Sequence, residues 1–181
     1  MRNFIISFLC ALTLAGCSRM NTIHDGTQSD VMLEGFDPVS YFEDEKPAIG
    51  QGDIFFKFDN VVYKFKNNDN LKKFETHPEK YIPQYGGFCA NGAPYGIMMG
   101  GLAKFYKIVN DKLYIFADPI SRSFWEMDQE FNIKTGDHLW VSEMKGRIPL
   151  LQSYKRIIFR VPHYKTTAQL TEQLQNQLQN K

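Results

Sequence analysis

The chain reads Ile54-Phe55-Phe56-Lys57-Phe58-Asp59-Asn60-Val61-Val62-Tyr63-Lys64-Phe65 in the stretch that decides its fold. Aromatic and β-branched residues dominate both halves of this stretch, which is typical of two β-strands. Asp59 and Asn60 separate the halves and tolerate positive φ, so they predict a two-residue hairpin turn. Residues 105–116 repeat the arrangement around Asn110-Asp111 and predict a second hairpin.

Short helices are predicted beside each hairpin. Asp37-Pro38 has the cap and the first-turn proline of a short helix, and Asp118-Pro119 gives the same signal after the second hairpin. Asn68 or Asp69 is predicted to cap a helix that ends before His77-Pro78. Together these elements predict an α+β fold, a compact single domain of two small antiparallel β-hairpin sheets with short helices.

The N-terminus is similar to a bacterial lipoprotein signal. A short positive region precedes an apolar core, and Leu14-Ala15-Gly16-Cys17 has the small residues and the cysteine of a lipobox. We expect residues 1–16 to be removed and Cys17 to carry acyl chains that hold the protein on a membrane. Ser18 stands where an aspartate favours inner-membrane retention, so the periplasmic face of the outer membrane is the expected location. The polar residues 17–30 are predicted to form a flexible tether.

The composition of the chain argues against nucleic-acid binding and suits a globular domain. The chain carries 21 basic and 20 acidic residues, so its net charge offers no attraction for nucleic acid. Its 15 phenylalanines and 9 tyrosines suit a core built largely from aromatic rings. The sequence contains no phosphate-binding loop, dinucleotide fingerprint or Gly-x-Ser-x-Gly motif. We therefore expect one globular domain without a nucleic-acid partner.

Residues 149–181 form a predicted amphipathic, helical C-terminal extension. Leu150, Tyr154, Ile157 and Val161 recur at helical spacing, and basic residues occupy the opposite side. Such a helix either lies on lipid or packs on the domain. Packing on the domain is the preferred interpretation, because the chain already has a predicted lipid anchor.

Three motifs follow one another along the chain: Gly35-Phe36-Asp37-Pro38-Val39, the first hairpin, and the helix end Phe74-Glu75-Thr76-His77-Pro78. In this order they resemble the YHS domain, which is associated with metal transport and metal-binding proteins. The run Tyr85-Gly86-Gly87-Phe88-Cys89-Ala90 extends the likeness to the YHS domain-containing (seleno)protein family, here as a bacterial lipoprotein member. The resemblance implies a YHS-type domain over residues 31–148. In some members of that family selenocysteine stands at the position of Cys89.

The chain departs from the YHS pattern at the usual metal ligands. Metal-binding YHS domains place cysteines at the positions that Lys66 and Asn70 occupy here. An ammonium group cannot ligate a metal, and an amide is a poor ligand for a soft one. Metal binding therefore does not follow from the resemblance.

Cys89 is the candidate catalytic or binding residue. It lies in a glycine-rich loop, and we expect a pocket formed by Tyr85, Gly86, Gly87, Phe88, Cys89 and Met98. Glycines let backbone N–H groups approach a sulfur, and such groups lower the pKa of a thiol. The alternative is an inert cysteine that packs as a small apolar residue.

Cu(I) is the one cofactor for which the sequence offers candidate ligands. Thiolate and thioether sulfurs suit this ion, which makes Cys89, Met98 and Met99 weak candidates. Methionines also fill gaps beside glycine loops. The histidines lack the spacings of a zinc site, and whether any of them approaches Cys89 depends on the fold.

Three functions remain open. The preferred prediction is a binding or accessory module, anchored to the membrane at Cys17 and serving an unknown protein or small-molecule partner. It would handle a soft metal or redox chemistry through Cys89. One alternative is a thiol-dependent redox enzyme that uses Cys89, and another is a structural lipoprotein whose tail docks a partner. A module without its own turnover is preferred, because the sequence carries no recognised catalytic motif.

Overall fold

The fold is α+β, as predicted, in a computed structural model that describes residues 20–180. The predicted signal peptide and the acylation site at Cys17 lie outside the described residues. Two small sheets and seven α-helices make up the described part of the chain. No helix within residues 20–180 has the length and apolar character needed to cross a membrane.

The first sheet contains the predicted first hairpin and two further short strands. Its strands are β1 (Thr22–Ile23), β2 (Val31–Met32), β3 (Phe55–Phe58) and β4 (Val61–Lys64), in the order β1-β2-β4-β3. β3 and β4 pair antiparallel through a turn in which Asp59 and Asn60 have φ of 48° and 63°. β2 adds to β4 in parallel, with Val31 opposite Val62. The sheet is therefore mixed, because β1 and β2 also pair antiparallel and only the pairing of β2 with β4 is parallel.

The second sheet is the second predicted hairpin. It consists of β5 (Leu102–Val109) and β6 (Lys112–Phe116), which pair antiparallel. The turn residues Asn110 and Asp111 have φ of 51° and 57°, the left-handed values that this type of turn requires. The register shifts between Leu102 and Tyr106, which bends the first part of β5.

The helices are short, and several begin at a side-chain cap. They are α1 (Ser40–Glu43), α2 (Asn68–Thr76), α3 (Pro78–Tyr81), α4 (Pro119–Glu126), α5 (Gln129–Leu139), α6 (Pro149–Ile158) and α7 (Thr167–Gln179). Asp118 caps α4 as predicted, since its carboxylate accepts the N–H of Ser121 at 2.7 Å. The cap of α2 is Asn67, one residue before the predicted position. The C-terminal extension is helical, as predicted, and comprises α6 and α7.

The core has two parts, each centred on one aromatic residue of a helix. Phe74 of α2 contacts the rings of Phe56, Tyr63 and Phe65 from the first sheet. Trp125 of α4 is fully buried and packs against Tyr114 and Phe116 of β6. The second part also contains the glycine-rich loop that carries Cys89.

The end of the predicted tether is part of the fold. Residues 20–30 include β1, and the Asn21 amide donates to the carbonyl oxygens of Gly87 and Gly101 at 3.0 and 2.8 Å. Asp25 forms an ion pair with Lys64, and a hydrogen bond from Lys64 holds the pKa of the Asp25 carboxyl well below its usual range. Residues 20–30 therefore contact the predicted domain, because Asn21 satisfies carbonyl groups of the glycine loop.

Candidate functional site

The glycine-rich loop folds back on itself beside β6. A tight turn at Gln84–Gly87 places Tyr85, Gly86 and Gly87 at φ of 53°, 60° and 78°, where glycine is favoured. After the turn, Cys89 lies beside Ile115 of β6, and its N–H donates to the carbonyl of Met99 at 2.8 Å. The segments around Cys89 and Met99 thus lie side by side as an irregular two-stranded ribbon, with Cys89 next to β6.

Gly92 allows the outgoing and returning parts of the loop to touch. A Cβ added at Gly92 would collide with the carbonyl oxygen of Ile97 and lie 3.4 Å from that of Cys89. The Gly92 carbonyl also accepts the N–H of Ile97 at 3.0 Å. A side chain at this position would separate the two halves of the loop around Cys89.

The Cys89 sulfur is buried and partnered by the backbone. The residue is 1% exposed, and Sγ accepts the N–H of Ala117 at 3.3 Å. Burial raises the pKa of the thiol, although hydrogen bonds from the amides of Ala117, Asn91 and Gly92 partly offset this effect. Because the thiolate is the reactive form of a cysteine, Cys89 is a weak nucleophile in this conformation.

The structure brings the six predicted pocket residues together, but within the core. Tyr85, Phe88, Cys89 and Met98 are each less than 10% exposed and belong to one apolar cluster. Gly86 and Gly87 are buried in the turn beside them. The Tyr85 hydroxyl donates to Asp137 of α5 at 2.9 Å, so this residue ties the loop to a helix. The arrangement closes the loop against α5 and β6.

An open cleft lies directly outside the sulfur. Its volume is about 370 Å³, and Asn91 and Gly92, whose amides face Sγ, form part of its lining. Sequence reasoning missed this cleft, here named the Met99 cleft. Its other walls come from the loop, from α4 with its cap, and from the second half of the C-terminal extension: Tyr95, Ile97, Met99, Asp118, Ile120, Ser121, Phe124, Tyr164, Lys165, Thr167 and Leu170.

The candidate metal ligands differ in how far they are buried. Met98 is 6% exposed, whereas Met99 is 48% exposed and lines the Met99 cleft. No group of three His, Cys, Asp or Glu side chains within residues 20–180 is placed to hold a metal ion. The Nε2 atom of His163 is hydrogen-bonded to the carbonyl oxygen of Pro94 at 2.6 Å. No histidine in residues 20–180 hydrogen-bonds to Cys89.

Lys66 and Asn70, which the resemblance compares with metal-binding cysteines, both donate hydrogen bonds to one buried group. That group is the carboxylate of Asp37, which is fully buried. Its Oδ2 accepts the backbone N–H of Lys66 at 2.9 Å and the Asn70 amide at 2.7 Å. Its Oδ1 accepts the N–H of Val39 at 2.8 Å. Lys66 and Asn70 therefore contribute to a satisfied hydrogen-bond network around a buried carboxylate.

The chain was compared with protein-family models, with curated proteins and with solved structures, and none of them matches it.

Proposed function

We propose that the protein is a lipid-anchored component of the bacterial cell envelope whose YHS-type domain is a ligand-binding module, with the Met99 cleft as its site. One observation carries the proposal. The Met99 cleft joins three separate parts of the chain, the Cys89 loop, the N-terminus of α4 and the C-terminal extension, around one concave surface. Such concave surfaces with mostly apolar walls are typical of small-molecule sites.

The cleft walls favour a small ligand that is mainly apolar. Met99, Ile120, Phe124, Tyr164 and Leu170 provide thioether, aliphatic and aromatic surface. The Asp118 carboxylate is already engaged, since it accepts the N–H and the hydroxyl of Ser121 at 2.7 and 3.1 Å. Polar recognition is therefore expected to come from Asn91 and Lys165, which also lie at the cleft; the Lys165 ammonium donates to Gln173 at 2.7 Å and has two further N–H donors.

A binding module is preferred over a thiol-dependent enzyme because of the state of Cys89. A reactive cysteine needs exposure and a lowered pKa, whereas this thiol is buried and its pKa is raised. The N–H of Ala117, two residues before α4, donates to the sulfur and links the loop to the segment that leads into this helix, which favours a structural role for Cys89. A Cu(I) site would require the sulfurs of Cys89, Met98 and Met99 to turn toward one point, although Met98 and Met99 differ greatly in exposure.

The ligand site can be located by the amide chemical shifts of the labelled protein during a screen of small apolar fragments. We expect shifts at Gly92, Met99 and Ser121, and we expect Met99→Asp to weaken the fragments' binding by about tenfold, because a charge in an apolar wall is costly to desolvate. Ile49→Asp is the matched control, since Ile49 is also exposed, at 59%, and does not line the cleft. Shifts confined to other surfaces would remove the Met99 cleft from the proposal. The same titration with Cu(I) tests the sulfur ligands.

The anchor is tested by the mass of the mature N-terminus. We expect the protein purified from membranes to begin at Cys17 and to carry acyl chains on that residue. Cys17→Ser is expected to abolish acylation, while Cys10→Ser, which changes a cysteine inside the predicted signal peptide, leaves it intact. An unmodified Cys17 in wild-type protein would reject the lipid-anchored part of the proposal.

A further inference from the structure

Helix α6 faces the domain with its polar side. Gln152 is buried, and its side-chain amide donates to the carbonyl of Gly96 at 3.2 Å. The hydroxyl of Ser153 accepts the N–H of Met98 at 2.9 Å and donates to the carbonyl of the same residue at 3.3 Å. These bonds satisfy backbone groups of the glycine loop. They fix the rotation of the helix about its own axis.

Charged residues reinforce this orientation. Arg156 is largely buried and pairs with Glu143, and its side chain packs on Gly96. Lys155 pairs with the same Glu143 at 3.0 Å. A rotation that turned the apolar side inward would break these contacts and the bonds of Gln152 and Ser153. The polar side of α6 is therefore its docking side.

The apolar side of α6 is consequently exposed. Large side chains with exposures between 56% and 75% form what is here named the outer face: Leu150, Leu151, Tyr154, Ile157, Ile158 and Phe159. They lie on one short helix and the residue that follows it. Exposed apolar surface on this scale marks a contact with a partner or a membrane.

The charges around the outer face favour an anionic surface. Of the five basic residues in 145–160, Lys155 and Arg156 pair with Glu143, and the other three are Lys145, Arg147 and Arg160. Two of them, Lys145 and Arg147, come just before α6, and Arg160 follows it. Interfacial helices that bind anionic phospholipid combine an apolar face with flanking basic residues in this way. A second, identical copy of this basic segment would meet the outer face with charge repulsion.

The position of the N-terminus points to the same surface. Met20, Trp140, Val141 and Lys145 line one depression, and Val141 is 76% exposed. The adjoining depression is lined by Ile148 and Leu151 at the start of α6. Cys17 precedes Met20 by three residues, a reach of at most about 11 Å. An acyl chain on Cys17 would therefore hold this side of the domain close to the bilayer.

We infer that the outer face of α6 lies on an anionic phospholipid bilayer as a second membrane contact. The inference rests on the proposed acylation of Cys17. With two contacts, the domain has one fixed orientation on the membrane. The second half of the C-terminal extension forms a wall of the Met99 cleft, so the membrane contact and the proposed ligand site share this extension.

A depth measurement on the acylated protein tests this contact. Leu150→Cys is spin-labelled in protein reconstituted into phosphatidylglycerol–phosphatidylethanolamine vesicles, and collisions with oxygen and with a water-soluble nickel chelate are compared. We expect the label at residue 150 to lie in the apolar part of the interface. The control label, Ile49→Cys, is expected to stay in water. A water-exposed label at residue 150 overturns the inference.

A second measurement separates this contact from the anchor. It uses the chain from residue 17, made without acylation and with Cys17→Ser, because every contact named above lies within residues 20–180. Leu150→Glu/Ile157→Glu is expected to weaken sedimentation with the same vesicles by about tenfold or more. Ile49→Glu/Leu178→Glu adds the same charge at exposed apolar sites elsewhere and is expected to bind as the unsubstituted chain does. Equal binding of both variants contradicts the inference.

Two further outcomes are informative. The protein could form a dimer that Leu150→Glu/Ile157→Glu dissociates, and show no vesicle binding. That result would assign the outer face to self-association and reject the membrane contact. A wild-type Cys17 without acyl chains would reject the anchor. In that case, the membrane contact would still be supported if the unacylated chain bound vesicles and Leu150→Glu/Ile157→Glu weakened that binding.

Discussion

Asp37→Ala is expected to cost about 3–5 kcal/mol of unfolding free energy, the largest loss from any single substitution considered for this domain, because several neutral donors lose a charged acceptor. The Asp37 carboxylate is fully buried and accepts four hydrogen bonds. Its donors are the N–H groups of Val39, Ser40 and Lys66 and the side-chain amide of Asn70. Alanine would leave the N–H groups of Val39 and Lys66 and the Asn70 amide without this acceptor, which costs more than the loss of an exposed bond, whereas the Ser40 N–H keeps the backbone carbonyl of residue 37 at 3.2 Å.

The measurement is urea unfolding followed by circular dichroism. Asp53→Ala is the control, because Asp53 is exposed and its loss should change stability by less than about 0.5 kcal/mol. Asp37→Asn keeps the shape but turns one acceptor into a donor, so an intermediate loss is expected. A cost for Asp37→Ala as small as that of the control would mean that the Asp37 network does not hold the first half of the fold together.

The hairpins were predictable because their signals are local. Asp59-Asn60 and Asn110-Asp111 adopt the left-handed turns that these residue types favour, and strand residues flank them directly. The cap at Asp118 was predictable for the same reason. β1 and β2 were not, because each has two residues and depends on pairing with a distant partner. Parallel addition of β2 to β4 leaves no short-range pattern in the sequence.

The candidate site was only partly predictable. Its glycines and its cysteine indicated a tight loop, and the loop exists. The burial of Cys89 depends on β6 and on the start of α4, which come more than twenty residues later in the chain. The cleft walls at Tyr164 and Leu170 come from more than seventy residues away. Met98 and Met99 have the same chemistry in sequence, and only the fold distinguishes the buried one from the exposed one.

The orientation of α6 shows a limit of periodicity. Helical spacing identified an apolar face and a polar face, and the usual expectation is that the apolar face packs on the domain. Here the loop offers unpaired backbone groups at Gly96 and Met98, and Gln152 and Ser153 satisfy them. Because buried polar groups need partners, these bonds decide which face turns inward.

Gly92→Ala is expected to have the second-largest effect of the substitutions considered, because it should expose Cys89 to solvent. The added Cβ would collide with the carbonyl oxygen of Ile97, a backbone atom that can move only if the loop opens. Overpacking of this kind costs about 1–3 kcal/mol, and the loop should then sample open states in which the sulfur meets solvent. Gly52→Ala is the control, because a Cβ there has nothing within 4 Å.

The rate at which iodoacetamide alkylates Cys89 in the folded protein tests the central claim most directly, that this thiol is a buried structural group in a binding module. Its raised pKa keeps the thiolate scarce at neutral pH, and the rate should climb as the pH rises above the ordinary thiol range. We predict that alkylation at pH 7 is about 100-fold slower in the folded wild type than in denaturant, and that Gly92→Ala but not Gly52→Ala removes much of this protection. A folded-state rate above that of a free thiol at pH 7 would contradict the account and identify Cys89 as an activated nucleophile.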